Sequence, residues 1–320
     1  MKKILIVFLI LVIVAGGIAL FVTSYFEAMP ENAKIRNIEI NEYDVKFFLT
    51  EDNKLYVGGI HMDSMGLFDD TGFRWSFMYA LRGIFGKTDV PVLFAENVAQ
   101  VFEASDGFLF TDLDGTLYYF GSQSGGENVK VAENVICASS DNRNIFYVTT
   151  ESDVYRKAFN KENATQVGTD AVSVYSNGLV FRIVTSSGEI YQIDAAGTVG
   201  NSSQKRNSVL QAQDDYDSTC VLDSEGKLTL HQWDTGITGG ENNTPYFLSD
   251  NVLSSDMNFD RICYLTKAGE LRSVFTRGGI ENAKTIQTDR TDIVDIAVAY
   301  SEVFVLYSDG SYQIYYTGLT

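Results

Sequence analysis

The sequence predicts an all-β protein, a seven-bladed β-propeller preceded by one N-terminal transmembrane helix. Three observations support this: an apolar run at the N-terminus, a hairpin signature found seven times, and a spacing of about 40 residues between most copies. With 45% hydrophobic and 13% aromatic residues among 320, the chain has ample material for a core. We expect a membrane anchor or uncleaved signal over 1–26, a short stalk over 27–34, and the propeller over 35–320.

The predicted anchor is a run without charges over residues 4–22, preceded by Lys2 and Lys3. Its length matches the hydrocarbon core of a bilayer. A cleaved signal peptide, with a similar charged start, is the alternative. Because positive residues stay on the cytoplasmic side, either interpretation exports the body. We expect a single-pass protein of the cell membrane with a cytoplasmic N-terminus and an extracellular C-terminal domain.

The hairpin signature is clearest in "LFTDLDGTLYYFG" over 109–121, where a D-G pair separates two apolar runs. Such pairs predict tight hairpin turns, which need a residue with positive φ. Asp112 and Asp114 also have the D-x-D-G spacing of calcium loops, but the other copies mostly lack the second aspartate. A hairpin turn is therefore the favoured interpretation. The seven predicted turn positions are Asn53, Gly115, Ser152, Gly188, Gly226, Gly269 and Gly310.

Apolar residues on both faces of each hairpin indicate sheets that need cover on both sides. The second residue after every turn is apolar or aromatic, and the next is tyrosine in four copies: Tyr56, Tyr118, Tyr155 and Tyr191. Adjacent strand residues point to opposite faces. Another strand candidate, such as "IRNIEI" or "NVICAS", precedes each hairpin. A closed ring of small sheets would bury both faces and limit free edges, with an open β-solenoid as the alternative.

Composition argues against several function classes. The net charge of -18 would repel phosphate backbones, so we expect no nucleic-acid partner. Cys137, Cys220 and Cys263 are too few for a disulfide framework and are expected to be core residues. His61 and His231 have no nearby metal-binding partner. We therefore expect no metal, no cofactor and no catalytic residue, and a protein that is not an enzyme.

The repeat unit, V-x-x-I/V followed by L-T-x-D-G-x-L-Y, resembles the repeat of the regulator of chromosome condensation family, whose members form seven-bladed propellers. Its clearest copy is "NVAQVFEASDGFLFTDLDGTLYYFG" over 97–121, and the resemblance covers 35–320. The family's glycine-rich loop is reduced here to fragments such as "GSQSGG". This trimming is similar to that of exported bacterial members such as the β-lactamase inhibitory propeller proteins. The resemblance implies a propeller and a protein-binding role, but assigns no functional residue.

An insertion at about 60–94 enlarges the first repeat. Its centre, "GFRWSFMYALRGIFGKT", is rich in aromatic residues and fits a helix better than a strand. It is either a cap on the propeller rim or a partner-binding element, because Trp, Tyr and Arg dominate interface energetics. The candidate partner-binding residues are Phe73, Arg74, Trp75, Tyr79 and Arg82.

These features favour a membrane-anchored extracellular β-propeller that acts as a protein- or cell-wall-binding module. The expected partner is an extracellular or envelope protein, or a cell-wall glycan. One alternative is an exported carboxylate-based hydrolase or lyase that acts on a glycan at the channel mouth. Another is a structural spacer in a larger envelope assembly.

Overall fold

The computed structural model describes residues 27–41, 45–58, 91–104, 107–125, 127–141, 143–176, 181–193, 199–202, 209–215, 218–232, 246–258, 261–276, 283–299 and 301–316. Within these ranges the chain is all-β apart from one short 3-10 helix, Ser122–Ser124. No helix in this described part is long and apolar enough to cross a membrane. The predicted anchor over 1–26 and the centre of the insertion lie outside these ranges.

The strands follow one another as antiparallel meanders in chain order. The first three meanders are β1 (Ile35–Ile40), β2 (Lys46–Thr50), β3 (Leu55–Gly58) and β4 (Val92–Ala95); β5 (Val98–Ala104), β6 (Gly107–Asp112), β7 (Leu117–Gly121) and β8 (Val129–Ala132); and β9 (Val135–Ser140), β10 (Asn144–Thr149), β11 (Val154–Ala158) and β12 (Thr165–Gly168). One parallel bridge, between Ala104 and Ser140, joins the second and third meanders into an eight-stranded sheet.

The remaining strands continue the same pattern. They are β13 (Ala171–Ser176), β14 (Phe181–Thr185), β15 (Ile190–Ile193) and β16 (Val199–Ser202); β17 (Val209–Asp215), β18 (Ser218–Asp223), β19 (Leu228–Gln232) and β20 (Tyr246–Ser249); β21 (Val252–Asn258), β22 (Arg261–Thr266), β23 (Leu271–Phe275) and β24 (Lys284–Ile286); and β25 (Ile293–Val298), β26 (Glu302–Tyr307) and β27 (Tyr312–Tyr316).

The turns between the second and third strands confirm the hairpin prediction. All seven predicted turn positions have positive φ, from 63° to 85°. In the second meander, Gly115 N–H donates to Asp112 O (3.1 Å) and Asp112 N–H donates to Thr116 O (3.0 Å). This is a type I turn closed by one left-handed residue, a common three-residue hairpin loop. Asp112 and Asp114 therefore belong to a hairpin turn.

The meanders close into a ring through a repeated backbone hydrogen bond. At four junctions between consecutive meanders, the first residue of the later meander donates its N–H to the turn residue of the earlier one, as Val135 does to Gly115 O at 3.0 Å. Ile35, at the start of the first meander, donates in the same way to Gly310 O of the last (2.9 Å). The inner strands β1, β5, β9, β13, β17, β21 and β25 contact one another in succession, and β25 contacts β1. This closed β-propeller excludes the open solenoid.

The core lies between neighbouring meanders, as the two-faced apolar pattern predicts. Phe47 of the first meander and Phe108 of the second are both buried, with ring centroids 4.9 Å apart. Phe48, next to Phe47 on β2, points to the opposite face and packs against Phe304 of the last meander at 6.3 Å. Each sheet is thus covered on both faces.

The start of the predicted stalk adds to the edge of the first sheet. Leu93 N–H donates to Glu27 O (2.8 Å) and Met29 N–H donates to Pro91 O (2.9 Å). Ala28 forms an isolated antiparallel bridge with Val92 on β4. These bonds hold the segment that leads into the propeller against the outermost strand of the first sheet.

Candidate functional site

Every inner strand begins with a β-bulge at its second residue. In β9, Val135 pairs with Thr149 and Cys137 pairs with Val148, so that Ile136 has no residue opposite it. A bulge leaves one residue unpaired, bends the strand and re-aims that residue's side chain. The bulge residues therefore stand at one end of the channel that the inner strands enclose.

Five consecutive meanders place an exposed aliphatic side chain at this bulge. Their exposed fractions range from 38% to 65%, although these are residues that usually pack inside proteins. We call this arc around the channel mouth the aliphatic ring. It consists of Ile136, Val172, Leu210, Leu253 and Val294.

The first two meanders complete the circle differently. Arg36 occupies the bulge of β1 and Ala99 that of β5. The Arg36 guanidinium donates to Thr50 O (3.2 Å), Val98 O (3.1 Å) and Ala99 O (2.7 Å). Arg36 therefore fastens the first meander to the second, and the aliphatic ring occupies the remaining arc.

The face that carries the aliphatic ring also carries the hairpin turns, because the turns bond to the beginnings of the inner strands. We call it the turn face. Its turns and connections are rich in carboxylates. The exposed ones are Glu51, Asp52, Glu96, Asp114, Glu133, Glu151, Asp170, Glu225, Asp250, Glu270, Asp292 and Asp309. An apolar arc thus lies inside an acidic rim.

Below the ring, polar side chains line the channel and link one meander to the next. Cys137 Sγ contacts Ser173 Oγ at 3.4 Å, and Ser254 Oγ donates to Asp295 Oδ1 at 2.9 Å. Ser255 N–H donates to Gln211 Oε1 at 3.3 Å. Each of these bonds joins two inner strands, so the polar channel residues link neighbouring meanders of the propeller.

A cavity of about 220 Å³ occupies the channel beneath these links. Its lining includes the carboxylates Glu39, Glu103 and Asp256, the amides of Gln211 and Gln213, and the aromatic rings of Phe102 and Tyr175. No lysine or arginine of the described chain lines it. The cavity is therefore polar, acidic and large enough for a few water molecules or one small ligand.

The channel walls shift the carboxyl groups toward their neutral forms. The pKa of Glu39 is raised to about 8, first by removal from bulk water and then by the Asp256 carboxylate nearby. Glu39 is exposed to the channel, but the walls enclose it. Burial likewise raises the pKa of Asp256 to about 7 and also raises that of Asp295.

The hydrogen bonds of the Asp256 carboxyl group indicate a structural role for this residue. Its Oδ2 accepts from Val298 N–H at 2.5 Å, its Oδ1 accepts from Met257 N–H at 2.9 Å, and Gln213 Nε2 also donates to Oδ1. These donors come from β17, β21 and β25, so one carboxyl connects three meanders. In the described ranges, no group of His, Cys, Asp and Glu is arranged to hold a metal ion.

The sequence-predicted site residues have different outcomes. Phe73, Arg74, Trp75, Tyr79 and Arg82 lie outside the described residues, so their partner-binding role stays a prediction. Cys220 and Cys263 are buried as expected, whereas Cys137 is half-buried and lines the channel. His231 is buried in β19, and His61 lies outside the described ranges.

The sequence did carry a signal for the aliphatic ring. The second residue of the inner strand is aliphatic in each of the last five repeats, as Ile136 is after Val135 in β9. In a regular strand it would alternate with the buried first residue and face the opposite side. The bulge directs this aliphatic side chain to the channel mouth, and no local sequence pattern predicts the bulge.

Comparisons with known proteins show the fold. No protein-family model and no curated protein matches the chain. Human WBSCR16 has a TM-score of 0.62 at 14% identity, over 88% of this chain and 89% of that chain. The β-propeller domain of Cps50 (Swd1) from Myceliophteria thermophila has a TM-score of 0.64 at 8% identity, over 91% of this chain and 98% of that chain.

Prp20p from Saccharomyces cerevisiae has a TM-score of 0.54 at 10% identity, over 69% of this chain and 72% of that chain. The structural neighbours thus include propellers of the regulator of chromosome condensation type, Prp20p among them, and WD40 propellers. At such low identities the similarity concerns the backbone fold. The chain has the fold of a β-propeller.

Proposed function

We propose that this chain is a membrane-anchored, exported, seven-bladed β-propeller that binds a partner protein through its turn face. The aliphatic ring carries this proposal. Five neighbouring meanders expose aliphatic side chains at the same bulge, so the exposure is a property of the repeat and recurs from one meander to the next around the channel mouth. Contiguous exposed apolar surface on a soluble domain marks an interaction site more often than scattered apolar residues do.

The number of blades is supported by the order of the described strands. Six meanders have four strands and the last has three, and each inner strand contacts the next around the circle. The hydrogen bond from Ile35 to Gly310 repeats the bond found at four other junctions, which supports a ring of seven similar units.

Sequence features support export and anchoring. The uncharged run over 4–22 follows two lysines, which favours a cytoplasmic N-terminus and an exported body. The proposal also includes a similarity of this chain to exported bacterial propellers. It further includes contacts between the partner and the insertion at about 60–94. A propeller is a suitable scaffold for such binding, and Prp20p, a structural neighbour, is described as binding Gsp1p and histones.

The carboxylate-based hydrolase has less support from the described geometry. Glu39 and Asp256 share a cavity and have raised pKa values, as a catalytic pair would. Both Asp256 carboxylate oxygens, however, accept hydrogen bonds from backbone N–H groups of the inner strands β21 and β25. Because a role in proton transfer would disturb these bonds, we assign Asp256 a structural role and propose no hydrolytic activity.

Crosslinking on intact cells with a membrane-impermeant reagent tests the proposal. The wild-type chain should capture one recurring protein, and the double variant Leu210→Ser, Leu253→Ser should lose it, because about two thirds of Leu210 and half of Leu253 are exposed (65% and 49%). Val129→Ser is the matched control, since Val129 is 44% exposed but lies on the outer strand β8.

Capture by the double variant at the wild-type level would contradict a binding role for the turn face. Protease added to the same cells should digest the body of the chain. Full protection from that protease, in cells whose membranes are intact, would refute export.

A further inference from the structure

The acidic rim of the turn face indicates what chemistry the partner must present. This inference rests on the proposed binding through the aliphatic ring. Among the described residues around the arc, carboxylates outnumber cations. Most of these cations already form ion pairs with carboxylates of the rim.

Ion pairs within the described rim account for four of its cations, one of which is Lys54, 4.0 Å from Asp52 Oδ2 and 3.8 Å from Glu96 Oε1. Arg290 Nη2 lies 2.5 Å from Asp292 Oδ2 and 3.1 Å from Asp309 Oδ2. Arg272 pairs with Glu270 at 2.7 Å, and Lys130 pairs with Glu133 at 2.6 Å. These cations are therefore neutralised on the protein itself.

In the part of the chain that the structure describes, four exposed carboxylates of the rim have no ion-pair partner. Within the described ranges, no lysine or arginine forms an ion pair with Glu151, Asp170, Glu225 or Asp250. They belong to the turns and connections of the third to sixth meanders, beside Ile136, Val172, Leu210 and Leu253. In the turn-face turns and connections of these four meanders, the exposed cations that form no ion pair with a described residue are Lys227 and Lys267. With a net charge of -18 for the whole chain, the field around the aliphatic ring is negative.

An apolar arc with a negative border favours its partner through two independent contributions to the binding free energy. Burial of aliphatic surface favours an apolar segment, and the rim favours positive charge on both sides of it. The same field repels anionic lipid headgroups, so a membrane surface fits less well.

We propose that the partner is a protein that docks a basic-aliphatic segment on the turn face, with Leu, Ile or Val side chains against the aliphatic ring and Lys or Arg side chains against the rim. Such a segment satisfies both terms at once. An acidic segment would place like charges together, and a purely basic one would leave the ring uncovered.

Three labelled synthetic peptides test this: one alternating Lys and Leu, one alternating Glu and Leu, and one alternating Lys and Ser. The full chain is embedded in phosphatidylcholine nanodiscs, with empty nanodiscs as the blank, and Kd is measured by fluorescence anisotropy. The Lys-Leu peptide should bind at least about tenfold more tightly than either of the others.

Two sets of substitutions separate the charge term from the apolar term. A rim variant with Glu151→Gln, Asp170→Asn, Glu225→Gln and Asp250→Asn should raise the Kd of the Lys-Leu peptide about tenfold. The difference in Kd between the rim variant and the wild-type chain should shrink as salt rises from about 0.05 to about 0.5 M, because salt screens exposed charges. The ring variant Leu210→Ser, Leu253→Ser should also weaken binding, and Val129→Ser should not.

The outcomes distinguish the two proposals. If the Glu-Leu peptide binds as tightly as the Lys-Leu peptide and only the ring variant weakens both, the basic character of the partner is refuted while binding through the turn face stands. If the ring variant binds every peptide like the wild type, both proposals fail. If the Lys-Leu peptide shows no saturable binding to the wild-type chain, the proposed segment class is wrong.

Discussion

The residue three positions before the left-handed turn residue is Thr or Asp in six repeats, and Tyr307 takes that place in the last. Asp112 Oδ1 accepts the N–H groups of Asp114 (3.0 Å) and Thr116 (2.8 Å). Thr185 Oγ1 accepts from Glu189 N–H (3.1 Å) at the same place in the fourth meander. A Thr or Asp at this position satisfies backbone donors that the hairpin loop leaves unpaired. The D-x-D-G pattern therefore serves turn geometry.

At the residue scale, the channel carboxyls make stability depend on pH. The pKa of Glu39 is about 8 in the folded chain, above its usual value of 4.5, so the folded state holds this proton more tightly than the unfolded state. The stabilisation is fully present below pH 4.5 and is lost as pH rises through about 8. Asp256, with a pKa of about 7, acts in the same direction.

We therefore expect the wild-type Tm to fall between pH 5 and pH 8.5, and Glu39→Gln to flatten that fall by staying neutral at every pH. Differential scanning fluorimetry across this range measures both slopes. Glu133→Gln is the control, because Glu133 is exposed and its pKa is lowered by Lys130. Parallel slopes for wild type and Glu39→Gln would show that the channel does not hold the carboxyl in its neutral form.

At the element scale, the hairpin turns do more than reverse the chain, since their carbonyls receive the next meander. Gly115 and Gly310 have nearly the same φ, 77° and 78°. A Cβ at Gly115 would come no closer than 3.6 Å to Asn134 Cα, whereas one at Gly310 would lie 2.9 Å from Lys34 Cβ. The last turn therefore fits tightly against the start of the first meander.

Two alanine substitutions compare these turns. Both Gly115→Ala and Gly310→Ala should cost about 1–2 kcal/mol for a left-handed residue with a Cβ. Gly310→Ala should cost roughly 1–3 kcal/mol more, because the backbone at the closure must move. Urea unfolding gives both values. Equal losses would mean that the closure accommodates the methyl group and is looser than described.

At the scale of the whole molecule, closure makes the first and last meanders interdependent. Phe304 is 1% exposed and packs against Phe48 and Tyr312, with Lys46 Nζ 5.1 Å from its ring centroid. Phe146 and Phe181 form a comparable contact between the third and fourth meanders, at 4.1 Å. A closed ring has no terminal unit that can fray alone.

Phe304→Ala should therefore destabilise the protein about as much as Phe146→Ala, by about 3–5 kcal/mol, although it lies near the chain's end. Near- and far-ultraviolet circular dichroism, followed through the same urea transition, should lose their signals together in both variants. An early loss of near-ultraviolet signal in Phe304→Ala alone would indicate an end that opens independently of the ring.

The sequence alone determined the repeating hairpins, their turn residues and the two-faced burial of their strands. These depend on interactions within a few residues, such as the positive φ at Gly115 and the alternation of Phe47 and Phe48, and local chemistry is written directly in the chain. The tertiary structure decided the rest. It places Ile136 and Leu210 at a shared channel mouth, turns Asp256 into a link between three meanders, and joins Ile35 to Gly310. Those relationships arise only when distant repeats pack around one axis, so no single segment encodes them.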